Sequence, residues 1–265
     1  MDNESDKPIG VFDSGVGGLS ILIELKKLLP KENFVYLADQ AYIPYGEKGK
    51  QELIDRCSSV ADYFIENHKI KIMVVACNTA TANAIQALRK KYFFPIIGTI
   101  PGVKPAAEKT KSKTIAVLST PSTSRSYALK KLIKDNCQGT SVLNIGCKDL
   151  VGVVEEGSLD GLKVDTLLKK YLERIKSSNA DYLVLGCTHY PFLGGAITGI
   201  LGSKVKLVDS GKAIAVRTKS LLQKNKILNK SKGRDTYLTT GSPVKFSKVA
   251  SKLLKKKIKG FGVAI

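Results

Sequence analysis

Two cysteines stand in the same local setting. Cys77 lies in Val74-Val75-Ala76-Cys77-Asn78-Thr79-Ala80, and Cys187 in Leu183-Val184-Leu185-Gly186-Cys187-Thr188-His189-Tyr190. In each, an apolar stretch ends in Cys and a hydroxyl-rich turn leads into a helical pattern. This predicts a sulfur at the carboxyl end of a buried strand beside a helix N-terminus, where a thiolate is stabilised. A single free Cys is commonly a buried structural thiol. The repetition of the setting argues for more, because two thiols facing one pocket suit two-sided proton transfer. Asn78, Thr79, Thr188 and the backbone N–H groups of both turns are positioned to grip carboxylates, and His189 can hydrogen-bond or tune the nearby thiol. The other histidine, His68, lies on what reads as a polar helix face and is expected to be structural.

Two loops carry further chemistry. Ile9-Gly10-Val11-Phe12-Asp13-Ser14-Gly15-Val16-Gly17-Gly18 is a glycine-rich strand-to-helix turn, a setting that can bind an anion through backbone N–H groups. It has neither the Lys-Ser/Thr of a P-loop nor the spaced glycines of a dinucleotide fingerprint. Asp13 would repel phosphate. It serves either as a cap of the turn or as a carboxylate that holds a substrate ammonium or acts on a neighbouring thiol. In the second loop, Ala38-Asp39-Gln40-Ala41-Tyr42-Ile43-Pro44-Tyr45-Gly46, Tyr45 could supply an apolar wall and Gly46 a backbone donor to a ligand; an ordinary surface turn would look the same.

The elements that must position these residues alternate. Strand-like runs at 9–12, 34–38, 72–76, 96–98, 114–118, 182–185 and 205–208 are separated by helical patterns, which argues for βα units and mainly parallel sheets. The clearest helix is 162–175, with Val164, Leu167, Leu168, Tyr171, Leu172 and Ile175 on one face. A Pro/Gly-rich crossover, 95–105, separates two stretches of similar plan. A lysine-rich loop is expected at about 224–233, and a last strand and helix, 236–240 and 243–255, return to the first lobe. The expected fold is α/β with two similar lobes, residues 1–97 with 208–265 and residues 98–207, each a mainly parallel sheet flanked by helices, and an active site in the cleft between them.

Composition bounds the rest. The chain has 265 residues, 43% of them apolar, enough for a substantial core. No apolar run approaches the roughly 20 residues of a membrane span, and the N-terminus lacks the layout of a signal peptide, so a cytoplasmic location is expected. Five cysteines without Cys-x-x-Cys or zinc-ligand spacing read as free thiols, and no metal is expected. The net charge of +20 raises the prospect of nucleic acid, but only six of the 43 basic residues are Arg. Since phosphate and base readers favour Arg, the lysines are read as solvated helix faces and a nucleic-acid partner is not expected.

Four motifs, Gly10 to Gly18, Ala38-Asp39 with Pro44-Tyr45-Gly46, Ala76 to Ala80, and Gly186 to Pro191, closely resemble glutamate racemase of the aspartate/glutamate racemase superfamily, in order and spacing over about residues 8–220. The resemblance implies that Cys77 and Cys187 are the two acid/base residues. It implies substrate-contacting or assisting roles for Asp13, Ser14, Tyr45, Gly46, Asn78, Thr79, Thr188 and His189. Glu155, in the segment Cys147 to Glu155, matches an assisting carboxylate. The family's Ala-Thr-x-Gly-Thr turn reads Ser119-Thr120-Pro121-Ser122-Thr123 here, which leaves Thr120 or Thr123 as the substrate contact, with Thr123 favoured. The implied activity is racemisation of glutamate without any cofactor, supplying D-glutamate for bacterial peptidoglycan, by a homodimer with no membrane partner. The rival readings are a racemase of aspartate or another acidic amino acid, and a non-catalytic basic protein that binds DNA or a topoisomerase.

Overall fold

The computed structural model describes residues 4–265. In chain order the elements are β1 (Ile9–Asp13), α1 (Leu19–Leu28), β2 (Phe34–Ala38), α2 (Lys50–His68), β3 (Ile72–Val75), α3 (Asn78–Lys91) and β4 (Ile96–Gly98). Then come α4 (Val103–Lys109), β5 (Thr114–Ser119), α5 (Pro121–Arg125), α6 (Tyr127–Asn136), β6 (Ser141–Gly146), α7 (Leu150–Glu155), α8 (Leu162–Lys176), β7 (Tyr182–Leu185), α9 (Gly194–Leu201) and β8 (Lys206–Val208). The chain ends with α10 (Gly211–Lys224), β9 (Asp235–Thr239), α11 (Pro243–Leu254) and β10 (Phe261–Gly262).

The chain divides into two compact units, one running to Thr99 and resuming at Gly211–Ile265, the other Ile100–Ser210. Gly98 pairs with Val75 in the first unit and Val208 with Val184 in the second, so each junction falls slightly beyond 97 and 207. The first unit holds a six-stranded sheet in the order β10-β9-β2-β1-β3-β4, with every described pairing parallel. Strands β1, β2 and β3 are buried at every position because helices cover both faces, which is why they read as unbroken apolar runs rather than alternating ones. On one face, Phe12, Leu37 and Val75 pack against Leu53, Val60 and Phe64 of α2 and Ala84 and Leu88 of α3. On the other, α1 packs against both α10 and α11, and Tyr36 of β2 stacks on Phe246 of α11 with ring centroids 6.3 Å apart.

The edge where these strands begin is tied by a buried ion pair. Lys71 Nζ lies 2.6 Å from Glu32 Oε2, and both side chains are excluded from solvent. Lys71 also donates to the carbonyls of Ser5 and Ile227, and Glu32 accepts from the Asn229 N–H at 2.8 Å, so the segment before β9 is anchored to the sheet.

The second unit holds a four-stranded parallel sheet, β6-β5-β7-β8. Val103, Ala106, Ile115, Val117, Leu129 and Val184 form part of its core. The amphipathic helix α8 buries Val164, Leu168, Tyr171, Leu172 and Ile175, as its spacing predicts. Strand β6 is an edge strand with only Ile145 buried, and its Ser, Asn and Gly residues give no strand signal in the sequence. His68 departs from the expectation of a polar face. It packs against the rings of Tyr63 and Phe64, its Nε2 is buried without a hydrogen-bond partner, and burial lowers its pKa.

Candidate active site

In a parallel α/β sheet, residues that leave the carboxyl ends of the strands collect at one edge, and that edge is where ligands are bound. In the first unit it gathers Asp13 from the end of β1, Ser14 beyond it, Asp39 after β2 and Cys77 after β3. Cys77 is the N-cap of α3. Its backbone is extended (φ −73°, ψ 123°), its sulfur accepts from the Ala80 N–H at 3.4 Å, and its carbonyl receives the Thr81 N–H at 2.9 Å. The sulfur is 3.7 Å from Ser14 Oγ.

Asp13 is fully buried and accepts from the Gly15 N–H at 2.8 Å, the cap of the turn that the sequence allowed. A Cβ at Gly18 would stand 2.6 Å from Asp13 Cβ and 3.0 Å from the Tyr36 hydroxyl, so the glycine is what lets α1 begin against the carboxylate. Asn78, Thr79 and Ser14 are all buried. Asn78 Nδ2 has no hydrogen-bond partner among the described residues, leaving a donor that nothing in the unit uses.

Tyr45 is buried and Gly46 half-buried in a single 3-10 turn, Tyr45–Glu47. The Tyr45 hydroxyl donates to Asp39 Oδ2 at 2.6 Å. Arg56 of α2 reaches the same carboxylate through Nε at 2.8 Å and Nη2 at 2.5 Å, and Thr240 donates to it at 2.8 Å. A bidentate guanidinium on a fully buried carboxylate is a strong and directional anchor. Burial and then Asp39 push the Tyr45 phenol far above its ordinary range, so it remains a neutral hydrogen-bond donor. Sequence reasoning missed Asp39 and Arg56 as parts of the site. Arg56 stands 17 positions away within a charged stretch of α2 and reads as surface.

In the second unit, Cys187 follows β7 but does not cap an α-helix. The Tyr190 N–H bonds the Cys187 carbonyl at 3.1 Å, a 3-10 turn spans Tyr190–Leu193, and α9 begins only at Gly194. This corrects the expectation that both sulfurs lie beside a helix N-terminus. The first α-type bond onto the Cys187 carbonyl would come from residue 191, and Pro191 has no N–H to give. The Gly194-Gly195 pair opens α9, which is only eight residues long.

What Cys187 has instead is a chain of polar contacts through His189 to Glu155. His189 Nδ1 is 3.6 Å from Cys187 Sγ, and its Nε2 is 2.6 Å from Glu155 Oε1 at the end of α7. Burial works against a charge on His189, which is 2% exposed, but the bonds to the Cys187 sulfur and the Glu155 carboxylate prevail and hold its pKa well above the usual histidine range. Thr188 is buried beside them. Thr123 lies in α5 beyond β5, the strand next to β7, and bonds Thr120 through both its N–H and its hydroxyl. Behind Cys187, burial raises the Cys147 thiol, with the neighbouring Cys187 adding to the effect; Cys57 behind Cys77 is raised in the same way. Among the described residues no group of three or more His, Cys, Asp or Glu is arranged to hold a metal ion. No described helix is long and apolar enough to cross a membrane.

Comparison with known proteins meets this geometry. The model of the Asp/Glu/Hydantoin racemase family matches residues 10–218. The chain is 42% identical over 246 residues to the glutamate racemase of Pseudomonas syringae pv. tomato, covering 92% of this chain and 89% of that one. It is 39% identical over 257 residues to the glutamate racemase of Roseiflexus sp., covering 96% and 94%. Among solved structures, glutamate racemase isoform RacE1 from Bacillus anthracis superposes with a TM-score of 0.89 at 33% identity, covering 98% of both chains. The Francisella tularensis glutamate racemase in complex with D-glutamate gives 0.84 at 33% identity and 98% coverage of both. With the family model spanning most of the sequence, and with both thiol turns at the carboxyl edges of parallel sheets, the chain belongs to the Asp/Glu/Hydantoin racemase family, as an amino-acid racemase akin to its glutamate racemases.

Proposed function

We propose that this protein interconverts L- and D-glutamate without a cofactor, with Cys77 and Cys187 serving the two faces of the substrate Cα. The observation that carries the reading is the provision of a separate proton partner for each thiol: Ser14 at 3.7 Å from Cys77, and the His189–Glu155 pair at Cys187. The substrate follows from the relatives. They are glutamate racemases, and related structures hold D-glutamate in the Francisella tularensis enzyme and L-glutamate in the Escherichia coli enzyme.

Racemisation needs a base to remove the Cα proton and an acid to return one to the opposite face. One sulfur enters as thiolate and takes the proton, leaving a planar carbanion. The other enters as thiol and gives its proton to that carbon. The two sulfurs have then exchanged states, so each form of the enzyme accepts one enantiomer. His189 offers its Nδ1 proton to Cys187 whenever that sulfur is charged, and Glu155 fixes the ring from behind. Asp13 faces the substrate ammonium. The unengaged Nδ2 of Asn78, with Thr79, Thr188, Thr123 and the turn backbones, donates to the α-carboxylate, where charge accumulates as the proton leaves. Tyr45, held by Asp39, and its neighbour Gly46 form a wall of the pocket.

The same reading extends to a cytoplasmic homodimer that supplies D-glutamate to peptidoglycan. Aspartate is the alternative substrate, and kinetics on both acids separate the two. The deciding experiment incubates enantiopure glutamate with the protein in heavy water, without added cofactor, and follows α-proton exchange together with optical rotation. Both are expected from either enantiomer, and the absence of both would sink the assignment.

A further inference from the structure

The positive charge of this chain is not spread evenly. The last 55 residues, 211–265, hold 15 Lys and Arg against one acid, Asp235, whereas the first 210 hold 28 against 22. Of those 15, all but the half-buried Lys219 are exposed, and among the described residues only Lys256 has an acidic partner, at 3.7 Å from Asp235.

The fold concentrates much of this charge at one place. Strands β10, β9 and β2 are neighbours and all parallel, so the segments that enter them emerge side by side at the edge where the strands begin. The segment before β9 brings Lys226, Lys230, Lys232 and Arg234. The segment before β10 brings Lys255, Lys256, Lys257 and Lys259, and Lys31 precedes β2. The first of these is held to the sheet: Asn229 N–H bonds Glu32, Arg234 N–H bonds Asn33, and a Cβ at Gly233 would collide with the Glu32 carbonyl. Its lysines are therefore displayed from an anchored backbone. Some of them complement helix carboxyl ends, but that role calls for one or two cations per helix and not for this excess.

We propose that this pole of the first unit is a docking surface for an anionic phospholipid bilayer. Three features favour lipid over nucleic acid. Thirteen of the fifteen cations are Lys, which act as diffuse point charges where Arg would grip phosphate bidentately. Phe261 is 49% exposed beside Lys259, an amphipathic pairing suited to the headgroup boundary. A cavity of about 300 Å³ opens among Leu22, Leu254 and Tyr237, with Lys26 and Lys256, which share Asp235, and Lys27, which pairs with Glu24, at its rim, so a headgroup phosphate would meet a rim with more cations than acids and its first methylenes an apolar floor. A nucleic-acid backbone would leave that floor without a partner. The surface lies a strand length, about 17 Å, from the edge that bears Cys77, so docking leaves the thiol edge of this unit uncovered.

The test is co-sedimentation of the full chain with phosphatidylcholine vesicles made with and without phosphatidylglycerol, at low and high salt, alongside duplex DNA and transfer RNA probes. Binding is expected only with phosphatidylglycerol and only at low salt, since exposed charges are screened within about 10 Å in 0.1 M salt. At roughly fivefold per cation, the variant K230E/K232E/K257E/K259E is expected to lose more than a hundredfold in partitioning while racemising soluble glutamate at the parental rate. The charge-matched control K109E/K111E/K130E/K169E, altered in the second unit, is expected to retain at least ten times the partitioning of the pole variant. Equal losses in both variants, no binding to phosphatidylglycerol, or binding to the nucleic-acid probes alone would each overturn the proposal.

Discussion

At Cys77 the chain enters an α-helix at once, with the Thr81 N–H closing an α-type bond on the cysteine carbonyl. At Cys187 the Tyr190 N–H closes a tighter turn, and the helix waits until Gly194. The cause is one residue, Pro191, and the difference bears on how each sulfur is served. The first has a helix N-terminus and a serine hydroxyl. The second lacks the helix and has a histidine backed by a carboxylate. Two turns that look alike in sequence thus surround their sulfurs differently, with a helix N-terminus in one unit and a histidine–carboxylate pair in the other.

The largest test of this comparison replaces the sulfurs. Cys77→Ser and Cys187→Ser are each expected to slow racemisation by about 10³-fold, read by optical rotation from each enantiomer. Parental turnover in either variant would break the partnership. Next comes the ion pair: Glu155→Gln is expected to cost about 10²-fold in kcat and to move the alkaline limb of the pH profile to lower pH, because the imidazolium loses its counter-charge. The sign in stability is the same. His189 has a raised folded-state pKa, so its stabilisation is full below about pH 6.5 and fades as pH rises through that raised value. Melting temperatures of the protein and of His189→Gln are expected to converge with rising pH, and a constant gap would argue against a charged ring.

A smaller effect probes the first unit, where the ionic anchor stands behind Tyr45 and not beside the thiol. Arg56→Lys keeps the charge but loses the fork on Asp39, and is expected to raise KM roughly fivefold with kcat within about twofold. Arg56→Ala instead strands a buried carboxylate and is expected to cost about 3 kcal/mol of stability in chemical denaturation. Smallest is Pro191→Ala, which restores the missing N–H. A change of about threefold in kcat is expected as the turn relaxes toward the Cys77 pattern and carries His189 with it. No change would mean that the ion pair alone fixes the ring.

Much of this was legible in the sequence for a simple reason. Strands buried on both faces are continuous apolar runs, and 34–38, 96–98 and 182–185 were read to their ends. The half-exposed edge strand β6 carried no such signal, and β10, two residues long, carried less. At the site, residues adjacent to the thiols could be named because local chain order keeps them there. Asp39 with Arg56 could not, since their pairing is made by the packing of α2 on the sheet. The delayed helix after Cys187 has its signal in Pro191, which stands where the first turn has Thr81 and removes the N–H that would close the α-type bond.

If the unengaged amide of Asn78 receives the substrate carboxylate as proposed, it couples substrate to the durability of the fold itself. A buried N–H group without a partner costs about 1–3 kcal/mol, and an arriving carboxylate removes that cost in the folded state only. The free protein is therefore expected to gain melting temperature from Asn78→Ala while the variant gains less from added glutamate than the parent does. A parental gain in melting temperature that persists undiminished in Asn78→Ala would place the carboxylate elsewhere.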